Sequence, residues 1–354
     1  MANQPWAMVF EGPGRPLVRR ELAAPTLAPG ELLVEVTLST LCGSDLHTCA
    51  GRRESPTPGV LGHEIMGRVA EIGPRAVLDQ RGAVIAVGQR VTWSMMVSCG
   101  NCFCCRHGLP QKCARVAKYG HYRLDAGWDL HGGLASHVQL LAGSNLVSLP
   151  DSLPDEVAAP ANCAAATVAA AWRTAGLRAG EVALIHGAGM LGLTACAMAV
   201  ELGATPVVVD PDAARALRAA DFGASAKSVL ELSDGRGADV ALDVSGQPEA
   251  LADGLASLRL GGRAVWVGSV FSAPPLALDA EQVVRRVLTI SGLHNYTPED
   301  LLTAVEFLDR AAARFPFAAL TERVYPLSEA NVAFADATAS RAVRIGVRPD
   351  GVTP

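Results

Sequence analysis

The chain has 354 residues, half of them hydrophobic, with 35 glycines, only 5% aromatics and a formal charge of −5 at pH 7. That length exceeds what one hydrophobic core usually supports, so two domains are expected, and the acidic balance offers no basic stripe of the kind nucleic acid requires. No stretch is apolar for long enough to cross a bilayer and "MANQPWAMVFEGPGRPLVRR" lacks the pattern of a secretory signal, so a cytoplasmic protein is expected, in which nine cysteines read as metal ligands or catalytic groups rather than disulfides.

Between Val34 and Val147, short apolar runs (LLVEVTL, MGRVAEIG, AVGQRVTW, ASHVQLL) alternate with glycine and proline turns. This predicts a β-rich domain over residues 1–152. Inside it, "CGNCFCCRHGLPQKC" holds Cys99, Cys102, Cys105 and Cys113 as C-x2-C-x2-C-x7-C. Four thiolates on one loop can close a tetrahedron around zinc and leave no position for substrate, which describes a structural site. Cys104 could stand in for Cys105, and a redox dithiol or an iron–sulfur cluster would draw on the same residues.

From Leu153 to Ile290 strands alternate with helices: EVALIHGAG, MLGLTACAMAVELGA, PVVVD, DAARALRAADFGA, ADVALDVSG and GGRAVWVGSV. That order predicts a doubly wound parallel sheet over residues 153–290 and an α/β protein as a whole. "IHGAGMLG" sets Gly187, Gly189 and Gly192 as G-x-G-x-x-G between strand and helix, with Met190 and Leu191 in the same turn, suited to a dinucleotide pyrophosphate. Asp210 ends PVVVD at the spacing of a carboxylate that bonds ribose hydroxyls, which points to NAD; Arg215 nearby is the basic group that would suit NADP. Residues 291–354 show short strands and one helix, and are expected to return and complete the first domain.

A metal that does chemistry needs an open coordination position, and its candidate ligands lie in CGSDLH (Cys42–His47), GHE (Gly62–Glu64) and ANCAAATVAAAW, with Cys163. Taken singly, Cys42 could be a small buried hydrophobe and His63 a structural histidine. Taken together, CGSDLH, LGHEIMGRVAEIG, the four-cysteine loop and GAGMLG resemble, in order and spacing, the zinc-dependent medium-chain alcohol and polyol dehydrogenases along essentially the whole chain. The resemblance implies a GroES-like catalytic domain, a Rossmann-type NAD domain, and one catalytic and one structural zinc per chain. It implies Cys42, His63 and Cys163 as the catalytic zinc ligands, with Glu64 as a carboxylate able to approach the metal and Asp45 fixing the His63 tautomer. Ser44 would take the alcohol proton and pass it through the cofactor ribose to His47. Val267 and Ser269 of VGS would flank the nicotinamide. Gly43 stands where some relatives have an arginine on the pyrophosphate, with Arg344 as a candidate substitute. A homodimer or homotetramer is expected, joined through RAVWVGSV as an exposed sheet edge.

The resemblance implies a small-molecule alcohol or ketone as substrate. Arg52 and Arg53 lie between Cys42 and His63, on a loop that in relatives borders the substrate cleft. Two guanidiniums there would suit phosphate or phosphonate oxygens, and a solvated basic turn is the alternative. KYGHYRLDAGW, AAPANCAAATVAAAWR and GAGMLGLTACAMA resemble dehydrogenases of phosphonate metabolism and of phosphorylated cyclitols, which implies Tyr119, His121 and Trp128 as pocket residues. A neutral polyol or secondary alcohol is the other substrate reading. A zinc-free quinone reductase and a non-catalytic NAD(H) sensor are the rival classes.

Overall fold

The computed structural model describes residues 4–271, 273–340 and 342–352. The chain packs as two compact units. One holds the chain up to Cys163 with Thr297–Ala312 and the segment from Phe317 onward; the other holds Ala164–Tyr296 with Ala313–Pro316.

The first unit is β-rich and is built on the strand Leu32–Thr40. Its run LLVEVTLST is buried except at Glu35, the pattern of a strand covered on both faces. It pairs antiparallel with Glu64–Ile72, with His137–Leu140 and, near its end, with Arg344–Arg348. Arg90–Trp93 and Leu146–Ser148 extend the sheet on one side, and Thr321–Pro326 on the other. AVGQRVTW yields only Arg90–Trp93 as strand, because the Gln89 N–H turns back to the Ala86 carbonyl around Gly88 at φ +85°. One core of this unit gathers Val34, Val36, Ile65, Val91, Trp93, Val138 and Leu140.

Two features of this sheet position the residues of interest. The register sets Thr40 opposite Glu64, so the chain leaves one strand at Leu41–Cys42 beside the point where it enters the next at His63. Gly62 makes that entry at φ +88°, where a Cβ would press on Ser39 Oγ at 3.0 Å and on Gly133 Cα at 3.1 Å. Cys163 closes the short 3-10 turn Ala159–Asn162. The fully buried Asn162 side chain ties that turn to the sheet, accepting from the Ile65 N–H at 3.3 Å and donating to the Trp93 carbonyl at 2.9 Å.

The second unit carries a five-stranded parallel sheet in the order Thr205–Val209, Val182–His186, Ala238–Asp243, Leu258–Trp266, Thr289–Gly292. The helix Met190–Glu201 carries Gly192 and three alanines on a mostly buried surface, so it lies close to the sheet. The first half of RAVWVGSV, Arg263–Trp266, lies on Leu258–Trp266, an interior strand, so the expected sheet edge is corrected to the half-exposed Thr289–Gly292.

The C-terminal segment holds two α-helices, Pro298–Ala311 and Ala330–Ala339, where one was expected. The first begins with a capping box between Thr297 and Asp300 and a proline in its first turn, and it buries Leu301, Ala304, Val305 and Leu308 on one face. Among the described residues, no helix is long and apolar enough to cross a membrane.

Replacing Asn162 by alanine leaves the Ile65 N–H and the Trp93 carbonyl buried without this partner. We expect a loss of about 1–3 kcal/mol in unfolding free energy, read as a lower urea midpoint.

Candidate active site and metal centres

Cys42, His63 and Cys163 converge at the paired strand ends, with their ligand atoms all within 4.8 Å of one another. Cys42 caps the helix Gly43–Cys49, whose N–H groups favour negative charge on its sulfur. The Cys163 thiol, hydrogen-bonded to Cys42, holds Cys42 well below the usual thiol range, and the same contact with burial pushes Cys163 up. One proton shared by two sulfurs is what a soft divalent metal displaces. Burial acts to keep the His63 ring neutral, but the Asp45 carboxylate and Cys42 outweigh it and push the ring up to about 10. With its three soft donors, this set fits a zinc ion and leaves one position for substrate. It is the catalytic zinc site of the chain.

Asp45, fully buried, lies with Oδ1 3.4 Å from His63 Nδ1 while its carboxylate accepts from the Cys42 and Gly62 N–H groups at 3.0 and 3.3 Å. It therefore clamps both segments that carry ligands. Ser44 Oγ is 3.3 Å from His63 Nε2, and His47 follows one turn later on the same helix. Burial, with Arg52 and Arg53, lowers the His47 pKa against the opposing pull of Cys42, which leaves a neutral base at pH 7.

Arg344 does not sit as the expected pyrophosphate contact. It is buried with its fork on Glu64, Nε to Oε2 and Nη2 to Oε1 both at 2.9 Å, and its remaining contacts go to the Val343 carbonyl and to Cys42 Sγ at 3.9 Å. Glu64, fully buried, also accepts from Thr40 Oγ1 at 2.6 Å. A carboxylate expected to swing onto the metal is thus held by three donors in this structure. The partnership has no local signal in sequence, since the two residues are 280 positions apart.

The four-cysteine loop brings Cys99, Cys102, Cys105 and Cys113 together, with Cys104 outside the cluster. Sulfur separations of 3.4 Å (Cys102–Cys105), 3.9 Å (Cys102–Cys113) and 4.0 Å (Cys99–Cys105) bracket the edge of about 3.8 Å that a tetrahedral zinc tetrathiolate requires. The Cys99 and Arg115 N–H groups point at Cys113 Sγ. This is the structural zinc site.

In the second unit, Gly187, Gly189 and Gly192 take distinct parts. Gly187 adopts φ +106°, a Cβ on Gly189 would meet nothing within 4 Å, and one on Gly192 would overlap the Gly187 carbonyl oxygen at 1.7 Å. The turn therefore leaves open backbone where Met190 and Leu191 begin their helix, as a pyrophosphate needs. Asp210 accepts from the Ala188 and Asp212 N–H groups, both at 2.8 Å, so the carboxylate is held against the glycine turn. Arg215 follows on the helix Ala213–Arg218, and Val267 and Ser269 lie just past the end of Leu258–Trp266, Ser269 exposed. All of these occupy the carboxyl ends of parallel strands, where such folds bind dinucleotides.

Of the expected pocket residues, His121 alone lies at the metal site, its ring centroid 5.3 Å from that of His63. Tyr119 and Trp128 are corrected to core residues. The Tyr119 hydroxyl lies 2.6 Å from Ser144 Oγ and accepts from the Leu141 N–H, Trp128 donates to the Gln139 carbonyl, and the two rings pack edge-on at 4.9 Å. Arg52 is exposed and Arg53 half-buried. Sequence reasoning missed Lys118, a half-buried lysine whose electrostatic neighbours include Arg53, Cys163 and Cys42.

Comparison with known proteins agrees with this geometry. Residues 28–151 match the alcohol dehydrogenase GroES-like domain and residues 191–310 the zinc-binding dehydrogenase family. A D-arabitol-phosphate dehydrogenase of Enterococcus avium is 30% identical over 328 residues, 89% of this chain and 88% of its own. An L-threonine 3-dehydrogenase of Thermococcus kodakarensis is 34% identical over 267 residues, 70% and 71% of the two chains. An alcohol dehydrogenase structure from Thermotoga maritima superposes with a TM-score of 0.91 at 28% identity, covering 98% of this chain and 100% of that one.

Two outcomes follow from the site. Cys105→Ser lowers bound zinc from two ions per chain to one, measured by elemental analysis, whereas Cys104→Ser retains both. Glu64→Gln strands the buried Arg344 charge and costs about 3–5 kcal/mol of stability, much of which Glu64→Gln/Arg344→Met recovers; thermal and urea unfolding read both.

Proposed function

Because this chain belongs to the zinc-dependent medium-chain alcohol dehydrogenase family, we propose that it transfers a hydride between NAD and a hydroxyl-bearing carbon of a phosphorylated polyol. The observation that carries the substrate is the 30% identity, along 89% of the chain, with a dehydrogenase named for arabitol phosphate. The half-buried Arg53, on the loop between Cys42 and His63, agrees with it. The narrower expectations of a phosphonate or a cyclitol have no support among the relatives named above. Asp210, held against the glycine turn, favours NAD, since a carboxylate there repels a 2′-phosphate.

Zinc, when bound, supplies a Lewis acid for the hydroxyl or carbonyl oxygen. Cys42, His63 and Cys163 would hold it, and Asp45, with Oδ1 3.4 Å from His63 Nδ1, would orient the ring and leave Nε2 as the ligand atom. Ser44 Oγ, beside that nitrogen, receives the proton that leaves the hydroxyl as the hydride departs. His47, neutral at pH 7 and one turn further on, passes the proton toward solvent; reduction of the carbonyl runs the same groups in reverse.

The test is NADH formation by the zinc-loaded protein on matched polyols with and without a phosphate, with L-threonine beside them. The expected result is a kcat/KM at least about tenfold higher for the phosphorylated members, the size of one charge-assisted contact. Equal turnover of neutral polyols, or a preference for L-threonine, overturns the substrate assignment while leaving the dehydrogenase intact.

A further inference from the structure

Three segments of the first unit meet around the catalytic metal ligands. The loop after the helix Gly43–Cys49 carries Arg52 and Arg53, with the Arg52 N–H bonded to the His47 carbonyl at 2.9 Å. The short strand Ala117–Lys118, paired with Met96–Val97, leads into a turn closed by the His121 N–H on the Lys118 carbonyl. That turn is pressed onto the ligand segment: a Cβ on Gly120 would strike the Gly62 carbonyl oxygen at 2.6 Å and lie 3.2 Å from His63 Cβ. The two cation-bearing segments also hold each other, through the Leu124 N–H on the Pro58 carbonyl at 2.8 Å and the Gly59 backbone against the Tyr122 carbonyl.

The charges on these segments are unusual for their burial. Arg90, Arg263 and Arg344 each face a carboxylate at 2.6–2.9 Å. Lys118 and Arg53 are half-buried, yet neither side chain has an ion-pair or hydrogen-bond partner among the described residues. Burial, with Arg53 and then Lys112 nearby, lowers the Lys118 ammonium to about 8, and the opposing pull comes from the Cys163 and Cys42 sulfurs. Among the described residues, no carboxylate pairs with either cation. Half-buried cations without a counter-charge are unfavourable, and an incoming anion relieves both. His121, its ring centroid 5.3 Å from that of His63, brings a further hydrogen-bonding group to the same place.

We propose that Lys118 and Arg53 form a phosphate subsite beside the catalytic metal, holding the phosphate dianion of a small phosphorylated polyol and setting the preference for it. This rests on the substrate reading above and assigns it to particular side chains, with Lys118 as the principal anchor and the exposed Arg52 outside the site. A dianion suits two cations. An amino acid suits them less, because its ammonium would face Lys118 and Arg53.

The experiment uses the zinc-loaded full chain as wild type, Lys118→Met, Lys118→Arg and Arg53→Met, each first checked for two zinc ions per chain. Binding of inorganic phosphate is measured by calorimetry, and kcat and KM are measured on a phosphorylated polyol and its neutral counterpart. Phosphate affinity is expected to fall at least tenfold in Lys118→Met and in Arg53→Met and to recover in Lys118→Arg. In the two methionine variants, the ratio of kcat/KM between phosphorylated and neutral substrate falls by a similar factor, chiefly through KM. If wild type prefers the phosphorylated polyol and Lys118→Met keeps both that preference and the phosphate affinity, the subsite assignment is overturned and the substrate reading stands. If wild type shows no preference, the substrate reading fails and the subsite with it. If Lys118→Met impairs only L-threonine turnover, the cations serve a carboxylate, and the phosphate assignment is overturned.

Discussion

The buried fork of Arg344 on Glu64 is the contact around which the first unit organises its chemistry. The sulfurs of Cys42 and Cys163 and the carboxylates of Asp45 and Glu64 crowd into one cluster, with the Arg344 guanidinium and the His63 ring set against them. Charges of one sign so concentrated are tolerated only with compensation close at hand. Arg344 supplies part of it and a divalent metal the rest, so metal affinity and stability of this unit are coupled quantities. The same contact pins the strand Arg344–Arg348 at the end of Leu32–Thr40, where the ligand-bearing segments leave the sheet.

Electrostatics divide the surroundings of the metal into two regimes. On the side of Asp45 and Glu64, every acceptor finds a donor at ordinary hydrogen-bond distance, and the groups act as fixed structure. On the side of Arg53 and Lys118, neither side chain has an ion-pair or hydrogen-bond partner among the described residues. Half-buried cations beside a metal site are what the phosphate subsite proposed above requires.

Legibility in sequence followed the range of the interaction. The glycine turn of Gly187, Gly189 and Gly192 and the spacing of Cys99, Cys102, Cys105 and Cys113 were readable because each is closed within one short segment, where backbone geometry or ligand spacing leaves few choices. Choosing Cys105 over Cys104 needed the direction of each thiol on a four-residue helix. The helix Pro298–Ala311 carried a local signal, its capping box and apolar periodicity, that could have been read. Tyr119 and Trp128 looked like pocket residues because an aromatic with a polar tip suits a cleft and a core equally; their satisfied hydroxyl and indole decide for the core. Glu64 with Arg344, Asn162 with Ile65 and Trp93, and Lys118 with Arg53 were invisible for one reason: each joins segments that only the folded sheet brings together.

The order of the chain also has a consequence for biosynthesis. The strand that pairs with the end of Leu32–Thr40 comes from Arg344–Arg348, synthesised long after Cys163, whereas the second unit is nearly continuous from Ala164 to Tyr296. Cys42, His63 and Cys163 therefore exist on the nascent chain well before the guanidinium that offsets Glu64. At ribosomal speeds of about 5–20 residues per second, that interval lasts on the order of ten seconds or more. During it, three soft ligands are exposed to whatever metal the cell offers. The final strand thus acts as a latch set by translation, and a chain cut short before Arg344 would carry all three zinc-binding side chains yet lack the charge that makes their burial affordable.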